Sequence, residues 1–186
     1  MKTYEAHIKS AAPATFSRQH NADKEPGESH EAYEKRTWRE KLTFADNNVD
    51  AIINPMAFKF AISSAARKRG EKIAGKGNKT WAKLFDSGIL IMQAVPLGVT
   101  RETVAGLSIS VNADGVRGGG KRVMRTFPIV RQWEGKLIIH VLDDEITGDI
   151  LRKYVDEAGK FIGIGQFRPE NLGTNGRWEV VGFKEI

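Results

Sequence analysis

A glycine-rich stretch near the C-terminus combines residue types that could hold a phosphate. Residues 158–180 read AGKFIGIGQFRPENLGTNGRWEV, and the candidate residues are Gly163, Gly165, Arg168, Gly173, Gly176 and Arg177. Glycine allows a positive φ and a close approach of phosphate to the backbone, and arginine pairs well with phosphate oxygens. The stretch therefore predicts either a phosphate-binding loop or a tight turn, and its spacing leaves both alternatives open.

Two further segments are rich in basic residues and poor in acids. The candidates for nucleic-acid contact in the first segment, residues 67–83, are Arg67, Lys68, Lys76 and Lys79. The candidates in the second segment, residues 115–131, are Arg117, Lys121, Arg122 and Arg125. Trp81 lies in the first segment and could stack on a base or pack at the rim of the core. Two separate basic segments interrupted by glycines favour binding to a phosphate backbone.

The composition excludes several classes of protein. Of the 186 residues, 29 are basic and 23 are acidic, which gives a formal net charge of +6. The chain has no cysteine, so disulfides and thiolate metal sites are excluded. No apolar run approaches the roughly 18 residues that a membrane span needs. We therefore expect a cytoplasmic protein without a cofactor or a membrane partner, whose charge permits a polyanionic ligand.

The hydrophobic pattern of the N-terminal half predicts a strand, a helix and a second strand. Residues 3–9 alternate between apolar and polar types, which is typical of a strand, and residues 56–69 have the period of an amphipathic helix. The sequence GILIMQAVPLG, residues 88–98, predicts one strand that ends at Pro96. The polar residues 10–48 predict a long insertion with a short helix within residues 29–42.

The C-terminal half repeats the order of strand, helix and strand. An apolar run at residues 136–142 predicts a central strand, and a helix follows over residues 147–159. Thr147 is the predicted N-cap of this helix, and Gly159 is its predicted C-terminal stop. The last strand is predicted at residues 177–183. Together the two halves predict an α+β, ferredoxin-like or RRM-like fold (split βαβ), with an antiparallel sheet and helices on one face.

The glycine-rich stretch resembles the C-terminal glycine-rich loop of the RAMP superfamily, the ferredoxin-like RNA-binding proteins that build CRISPR effector complexes. In that family a helix leads into a loop with the order glycine, hydrophobic residue, glycine, spacer, then glycine and a basic residue. The residues that match are Gly163, Ile164, Gly165, Gly173, Gly176 and Arg177. Residues 51–67, AIINPMAFKFAISSAAR, resemble a second family segment, in which a proline precedes a helix with an early lysine, here Lys59.

The resemblance implies a function and an assembly. The basic segment at residues 112–126 falls where the backbone subunits of CRISPR complexes carry a protruding thumb. The resemblance therefore implies one domain over residues 1–186 that binds single-stranded RNA and assembles along the strand as a homo-oligomer or as a ribonucleoprotein subunit. The chain is short for such a subunit, which leaves open a minimal relative carried by a phage or a plasmid. On this view Gly165→Val and Arg177→Glu weaken binding and leave the fold intact.

Other functions stay open on the sequence alone. Related guide-processing endoribonucleases place a catalytic histidine in the N-terminal insertion, where His20 and His30 are weak candidates and Tyr33 and Arg36 lie nearby in sequence. Metal-dependent cleavage would need a positioned acid, for which Asp23 is a weak candidate, and no spacing indicates a zinc site. We therefore expect a binding protein and not an enzyme. A single-stranded DNA-binding or annealing protein, or an inhibitor that imitates a RAMP subunit, are the remaining alternatives.

Overall fold

The computed structural model describes residues 1–115, 118 and 120–186 as an assembly of strands and helices. The strands are β1 (Lys2–Ser10), β2 (Ala14–Thr15), β3 (Thr43–Phe44), β4 (Asp50–Ile53), β5 (Ile89–Ile91), β6 (Val95–Thr100), β7 (Ala105–Asn112), β8 (Arg122–Val130), β9 (Glu134–Val141) and β10 (Trp178–Glu185). The α-helices are α1 (His30–Thr37), α2 (Pro55–Arg69), α3 (Trp81–Ser87) and α4 (Gly148–Glu157). Short 3₁₀ helices cover Trp38–Lys41 and Pro169–Asn171, and a π-helical turn covers Ala158–Ile162. Within the described residues, no helix is both long enough and apolar enough to cross a bilayer.

Four strands form the main antiparallel sheet, in the order β10, β1, β9, β5. Strand β1 lies between β9 and β10, so that Tyr4 is opposite Ile139 on one side and Glu185 on the other. Along the chain, the elements of this layer are β1, α2, β5, β9, α4 and β10, which is the split βαβ arrangement of the ferredoxin-like fold. The predicted α+β fold is therefore confirmed.

Helices α2 and α4 pack on one face of the main sheet. Alternate residues of β1 and β9 are buried, namely Tyr4, Ala6, Ile8, Leu137, Ile139 and Val141. They form one hydrophobic cluster with Phe58 and Ile62 of α2 and with Leu151 and Tyr154 of α4. Burial of side chains of this size contributes about 1.5–3 kcal/mol each, so this cluster supplies much of the stability of the fold.

The ends of α4 show one prediction confirmed and one wrong. Thr147 is the N-cap, and its Oγ1 accepts a hydrogen bond from the amide of Ile150 at 3.4 Å. Gly159 does not end the helix, because the π-helical turn continues and Gly163, with a φ of 73°, follows it. A Cβ atom at Gly159 would lie 2.2 Å from the carbonyl oxygen of Trp178. Glycine is therefore needed here for the close approach of β10 and not for a turn.

The stretch predicted as one strand at residues 88–98 forms two strands in different sheets. Strand β5 belongs to the main sheet, and β6 pairs with β4 in a small sheet of the order β3, β4, β6. The prediction that Pro96 ends a strand is wrong, because Pro96 lies within β6 opposite Ile52. Strand β6 lies at the edge of its sheet, where a proline is tolerated. Helix α3, with Phe85 fully buried, is not predicted by the sequence pattern.

Strands β7 and β8 form a long hairpin that carries the second basic segment. Their pairing runs from Ala105 opposite Ile129 to Asn112 opposite Arg122. Strand β2, from the N-terminal insertion, pairs with the other side of β8 at Ile129 and Val130. Of the excursion expected at residues 112–126, Asn112 and residues 122–126 belong to this hairpin, whose base is joined to the insertion.

A buried ion pair fixes this hairpin beyond the end of β2. Lys41 Nζ donates a hydrogen bond to Glu34 Oε1 and a second one, of 2.8 Å, to the carbonyl oxygen of Thr126 in β8. Glu34 Oε1 accepts the amide of Thr126 at 2.8 Å, and Lys41 Nζ lies 4.9 Å from the ring centroid of Phe127. Both backbone groups of Thr126 are therefore bonded by side chains of the insertion where β2 no longer pairs with β8.

Candidate functional site

The glycine-rich loop, defined here as residues 163–177, follows the π-helical turn and leads into β10. Gly163, Gly165 and Gly176 have φ values of 73°, 73° and 72°, which side chains with a Cβ atom rarely adopt. The loop passes beside β2, where the amide of Gln166 donates to Thr15 O at 2.6 Å and Thr15 Oγ1 donates to Gln166 O at 2.7 Å. The loop is therefore fixed to the N-terminal insertion.

The loop glycines allow backbone segments to approach each other closely. A Cβ atom at Gly173 would lie 1.8 Å from the carbonyl oxygen of Phe167, and one at Gly176 would lie 1.9 Å from that of Ile164. Several loop amides also donate within the protein, such as Gly163 to Ala158 O at 2.9 Å and Gly176 to Pro13 O at 2.7 Å. These amides already have protein partners, so the geometry gives the tight-turn alternative a direct physical basis.

This geometry changes the expected effect of Gly165→Val. A Cβ atom at Gly165 would lie 2.2 Å from the carbonyl oxygen of Thr15, and the position has a φ of 73°. Backbone strain of this kind costs about 1–3 kcal/mol before the steric clash is added. We expect Gly165→Val to lower the midpoint of urea unfolding clearly, whereas the sequence alone suggested an intact fold. Gly75→Val is a matched control, because Gly75 also has a positive φ and nothing lies within 4 Å of its Cβ position. Equal decreases in the urea midpoint for the two variants would contradict the role of the clash.

A groove of about 890 Å³ lies between the hairpin and the glycine-rich loop. We call it the loop–hairpin groove, and its principal lining residues are Arg122, Arg125, Phe127, Phe167, Glu170 and Leu172. Arg122 donates to Ser110 O at 2.7 Å and Arg125 donates to Ala113 O at 3.1 Å, so both guanidinium groups are held at the groove by backbone carbonyls. Asp114 also lines the groove, and Glu170 is bonded to Arg168 at 2.7 Å.

Apolar groups on the loop side of the groove were not predicted as site residues. The rings of Phe127 and Phe167 meet edge to face with centroids 5.4 Å apart, and Leu172 is 83% exposed. Phe167 and Leu172 have positive φ values of 58° and 60°, which is uncommon for residues other than glycine and asparagine. The sequence signal that could have indicated Phe167 and Leu172 is the presence of large apolar residues within the polar part of the loop, residues 166–177.

A second cavity, of about 310 Å³, adjoins the loop on the side of α2. Its walls include Ala57, Phe60 and Ser64 of α2, together with Gly165 and Arg168 of the loop. Phe60 is 60% exposed, and Arg168 donates to Gly165 O at 3.3 Å. On this side, the exposed ring of Phe60 in α2 therefore lies near Arg168 of the loop, although that arginine is also paired with Glu170.

The structure brings only some of the predicted site residues to this region. Arg177, at the end of the loop, donates to the carbonyl oxygen of Lys160. Lys121, next to the groove residue Arg122, is exposed. Arg117 lies outside the described residues. The loop–hairpin groove thus collects Arg122 and Arg125 from the second basic segment, with Lys121 beside them along the chain.

The residues predicted around α2 and the first basic segment have other partners. Lys59 Nζ donates to the carbonyl oxygens of Phe85 and Asp86 at 2.6 and 3.0 Å, at the end of α3. Burial lowers the pKa of Lys59. Arg67 pairs with Asp86 at 2.7 Å, and Lys76 pairs with Glu145 at 3.1 Å. These three basic residues therefore hold parts of the fold together.

The remaining candidates of the first segment lie apart from the loop–hairpin groove. Lys68 is exposed beside a hollow that it shares with Arg69, Glu157 and Phe161. Lys79 is exposed in the turn before α3. Trp81 is partly buried and packs against the hydrophobic core. Lys68 and Lys79 are thus exposed, but neither lines the loop–hairpin groove.

The catalytic candidates of the insertion, His20 and His30, lie before and at the start of α1. The His20 ring stacks on Tyr33 with centroids 6.1 Å apart, and His30 is the exposed first residue of α1. Arg36 donates to both carboxylate oxygens of Glu28 at 2.9 Å and holds the pKa of this carboxyl well below its usual range. Asp23 is exposed, and within the described residues no group of histidine and acidic side chains is arranged to hold a metal ion.

The split βαβ sheet, the inserted hairpin and the glycine-rich loop define a RAMP-like fold. Neither a protein family nor a curated protein matches this sequence. Among solved structures, the chain is similar to a chain in the cryo-EM structure of the Type III-B Cmr-beta bound to cognate target RNA, with a TM-score of 0.64 and 11% sequence identity. The match covers 100% of this chain and 60% of the Cmr-beta chain. At this identity the likeness concerns the fold alone.

Proposed function

We propose that this protein binds single-stranded RNA through the phosphates, with the loop–hairpin groove as the binding site. The observation that carries the proposal is the position of Arg122 and Arg125 in a groove shared with the glycine-rich loop. Guanidinium groups bind phosphate oxygens through paired hydrogen bonds. The fold shared with a chain of an RNA-bound complex favours RNA over DNA as the ligand.

The apolar residues of the region have a role in this proposal. Exposed rings stack on unpaired bases and contribute about 1–3 kcal/mol per base. Phe60 of α2 is exposed in the adjoining cavity, and Phe167 of the loop is partly exposed in the groove. Stacking of this kind tolerates any base, so we expect affinity with little sequence preference.

Copies of the protein are proposed to bind next to one another along one strand. The hairpin supports this proposal, because it projects from the main sheet as a separate layer and carries the groove arginines. A projecting element at the binding site can reach a neighbour on the same strand. The RAMP-like fold is one in which such assemblies are known, and the protein would act as a homo-oligomer or as one subunit of a ribonucleoprotein.

A salt series tests the proposed function directly. Each phosphate neutralised on a single strand adds about 0.7 to the slope of log affinity against log salt, so contacts by two arginines alone give a slope of about 1.4. We expect fluorescence anisotropy with a labelled single strand of RNA to give at least this slope. A DNA strand of the same sequence is the control, and tighter binding of DNA would favour the DNA-binding alternative. A flat response, or no binding at low salt, would contradict the proposal.

We also propose that the protein is not an enzyme, and this has its own test. General acid–base cleavage of RNA needs two proton-transfer groups and a cation near the scissile phosphate. Arg36, the cation named above as a neighbour of His30 in sequence, is already bonded to Glu28. We expect labelled RNA to stay intact with the unmodified protein, and His20→Ala and His30→Ala to leave binding unchanged. Cleavage that either substitution abolishes would support an endoribonuclease instead.

A further inference from the structure

The free edge of β7 differs from the other sheet edges of the described residues. Strands β2, β3 and β5, with two, two and three residues, are too short to recruit another strand. Strand β6 contains Pro96 and Gly98, and β10 contains Glu179, Lys184 and Glu185. Prolines, charges and short lengths are the features that protect sheet edges from pairing with other chains. Strand β7, with the sequence AGLSISVN, has eight residues and neither a charge nor a proline.

The backbone groups of alternate β7 residues point to this free edge. The amide of Ala113 donates to Lys121 O at 2.8 Å, which fixes Ala113 and Lys121 as a hydrogen-bonded pair of the hairpin. In an antiparallel ladder bonded and non-bonded pairs alternate, so Ile109 bonds to β8 and the backbone groups of Ser108 and Ser110 point outward. The carbonyl oxygen of Ser110 accepts Arg122 Nη2 at 2.7 Å, as expected for a group on the open side.

The sequence of β7 is complementary to itself when read in the opposite direction. Residues 107–111 read LSISV, so that an antiparallel copy centred on Ile109 places Ser108 opposite Ser110 and Leu107 opposite Val111. Each residue of this segment therefore lies opposite a residue of the same polarity in the second copy, and no charged side chains face each other within it. In this register Ser108 and Ser110 form the bonded pair, because their backbone groups are the ones that face outward.

We infer that two copies of this chain pair through β7, antiparallel and centred on Ile109, to give a symmetric dimer. The two-fold axis is perpendicular to the joined sheet, as required when the same strand meets itself in antiparallel pairing. Ile109 lies opposite Arg125 and Leu107 lies opposite Phe127, so these four side chains share one face of the hairpin, and Arg125 and Phe127 also line the loop–hairpin groove. The two Arg125 side chains of the dimer therefore lie on the same side of one continuous sheet.

Pairing has a consequence for one groove arginine. The Ser110 carbonyl that now accepts Arg122 would accept the amide of Ser108 from the second copy. The guanidinium of Arg122 would then be released beside the groove. The dimer itself does not depend on the proposed function, and its test uses the full chain without nucleic acid.

Because the chain has no cysteine, a single engineered cysteine reports the pairing directly. In non-bonded antiparallel pairs the Cα atoms lie about 4.5 Å apart, which is within the range of a disulfide. We expect Ile109→Cys to form a disulfide-linked dimer on mild oxidation. Val181→Cys is the control, since Val181 is 50% exposed on the charged edge strand β10. Equal crosslinking of the two variants would overturn the inference.

Sedimentation equilibrium gives an independent readout. The unmodified protein is expected at twice its chain mass of 20.7 kDa. Ile109→Lys, which places two like charges on the two-fold axis, is expected at the mass of one chain. If that variant unfolds, Ser110→Pro serves instead, because the Ser110 amide points outward and its loss removes no hairpin bond. A monomeric unmodified protein, a polydisperse aggregate, or a Ser110→Pro variant that stays folded and dimeric would overturn the inference.

Discussion

Replacing both Arg122 and Arg125 by glutamate is expected to reduce the affinity for single-stranded RNA by on the order of 100-fold or more. A hydrogen bond to a charged group contributes about 1.5–3 kcal/mol, and 1.4 kcal/mol corresponds to about a factor of ten. Two lost contacts, with repulsion in their place, therefore give a loss of about this size. Anisotropy titrations at one low salt concentration measure the loss, and thermal unfolding checks that the hairpin still folds.

A matched variant separates the groove from the general charge of the protein. Lys68→Glu with Lys79→Glu changes the net charge by the same amount, and both lysines are exposed away from the loop–hairpin groove. We expect this double variant to retain most of its affinity at moderate salt, where exposed charges beyond about 10 Å are screened. An equal loss for the two double variants would show that binding follows overall charge, and the groove would lose its assigned role.

Lys41→Met is expected to lower the free energy of unfolding by about 3–5 kcal/mol, because it leaves a buried carboxylate without its partner. The Lys41 side chain is 7% exposed and that of Glu34 is 19% exposed. The substitution also removes the bond to the carbonyl oxygen of Thr126. For a domain of this size, the thermal midpoint should fall by on the order of 10 °C.

Two control variants are compared with Lys41→Met in the unfolding measurement. Lys136→Met removes an exposed ion pair with Glu5, in which the lysine side chain is 61% exposed, and such pairs contribute at most about 1 kcal/mol. Adding Glu34→Gln to Lys41→Met removes the unpaired charge and should recover part of the loss. A Lys41→Met variant as stable as Lys136→Met in urea unfolding would show that the insertion does not hold the hairpin.

Local patterns were sufficient for β1, for α2 and for the start of α4. Alternation in β1, the apolar stripe of α2 and the cap at Thr147 depend on neighbouring residues, which a sequence displays directly. The prediction of the end of α4 was wrong, because this helix end depends on a residue that is distant along the chain. Gly159 is required by Trp178, which is distant along the chain, and no local pattern distinguishes this glycine from one that ends a helix.

The candidate site was predicted less well, because charge alone does not indicate which partner a residue finds. Arg67 and Lys76 look as available in the sequence as Arg122, yet they pair with Asp86 and Glu145. Lys59 occupies the position that the RAMP resemblance indicates, and its ammonium group bonds the end of α3. Such assignments depend on long-range contacts that only the folded chain defines.

The position of β1 in the main sheet has a consequence for the order of folding. Both neighbours of β1, the strands β9 and β10, come from the C-terminal part of the chain. Tyr4 can therefore pair with Ile139 and Glu185 only after those strands have been synthesised. Thr15 and Lys41 likewise depend on Gln166 and Thr126. A fold dominated by contacts of this separation has a high contact order and forms slowly. On the ribosome, β1 therefore remains unpaired until β9 and β10 have emerged, and its apolar residues stay exposed for most of synthesis.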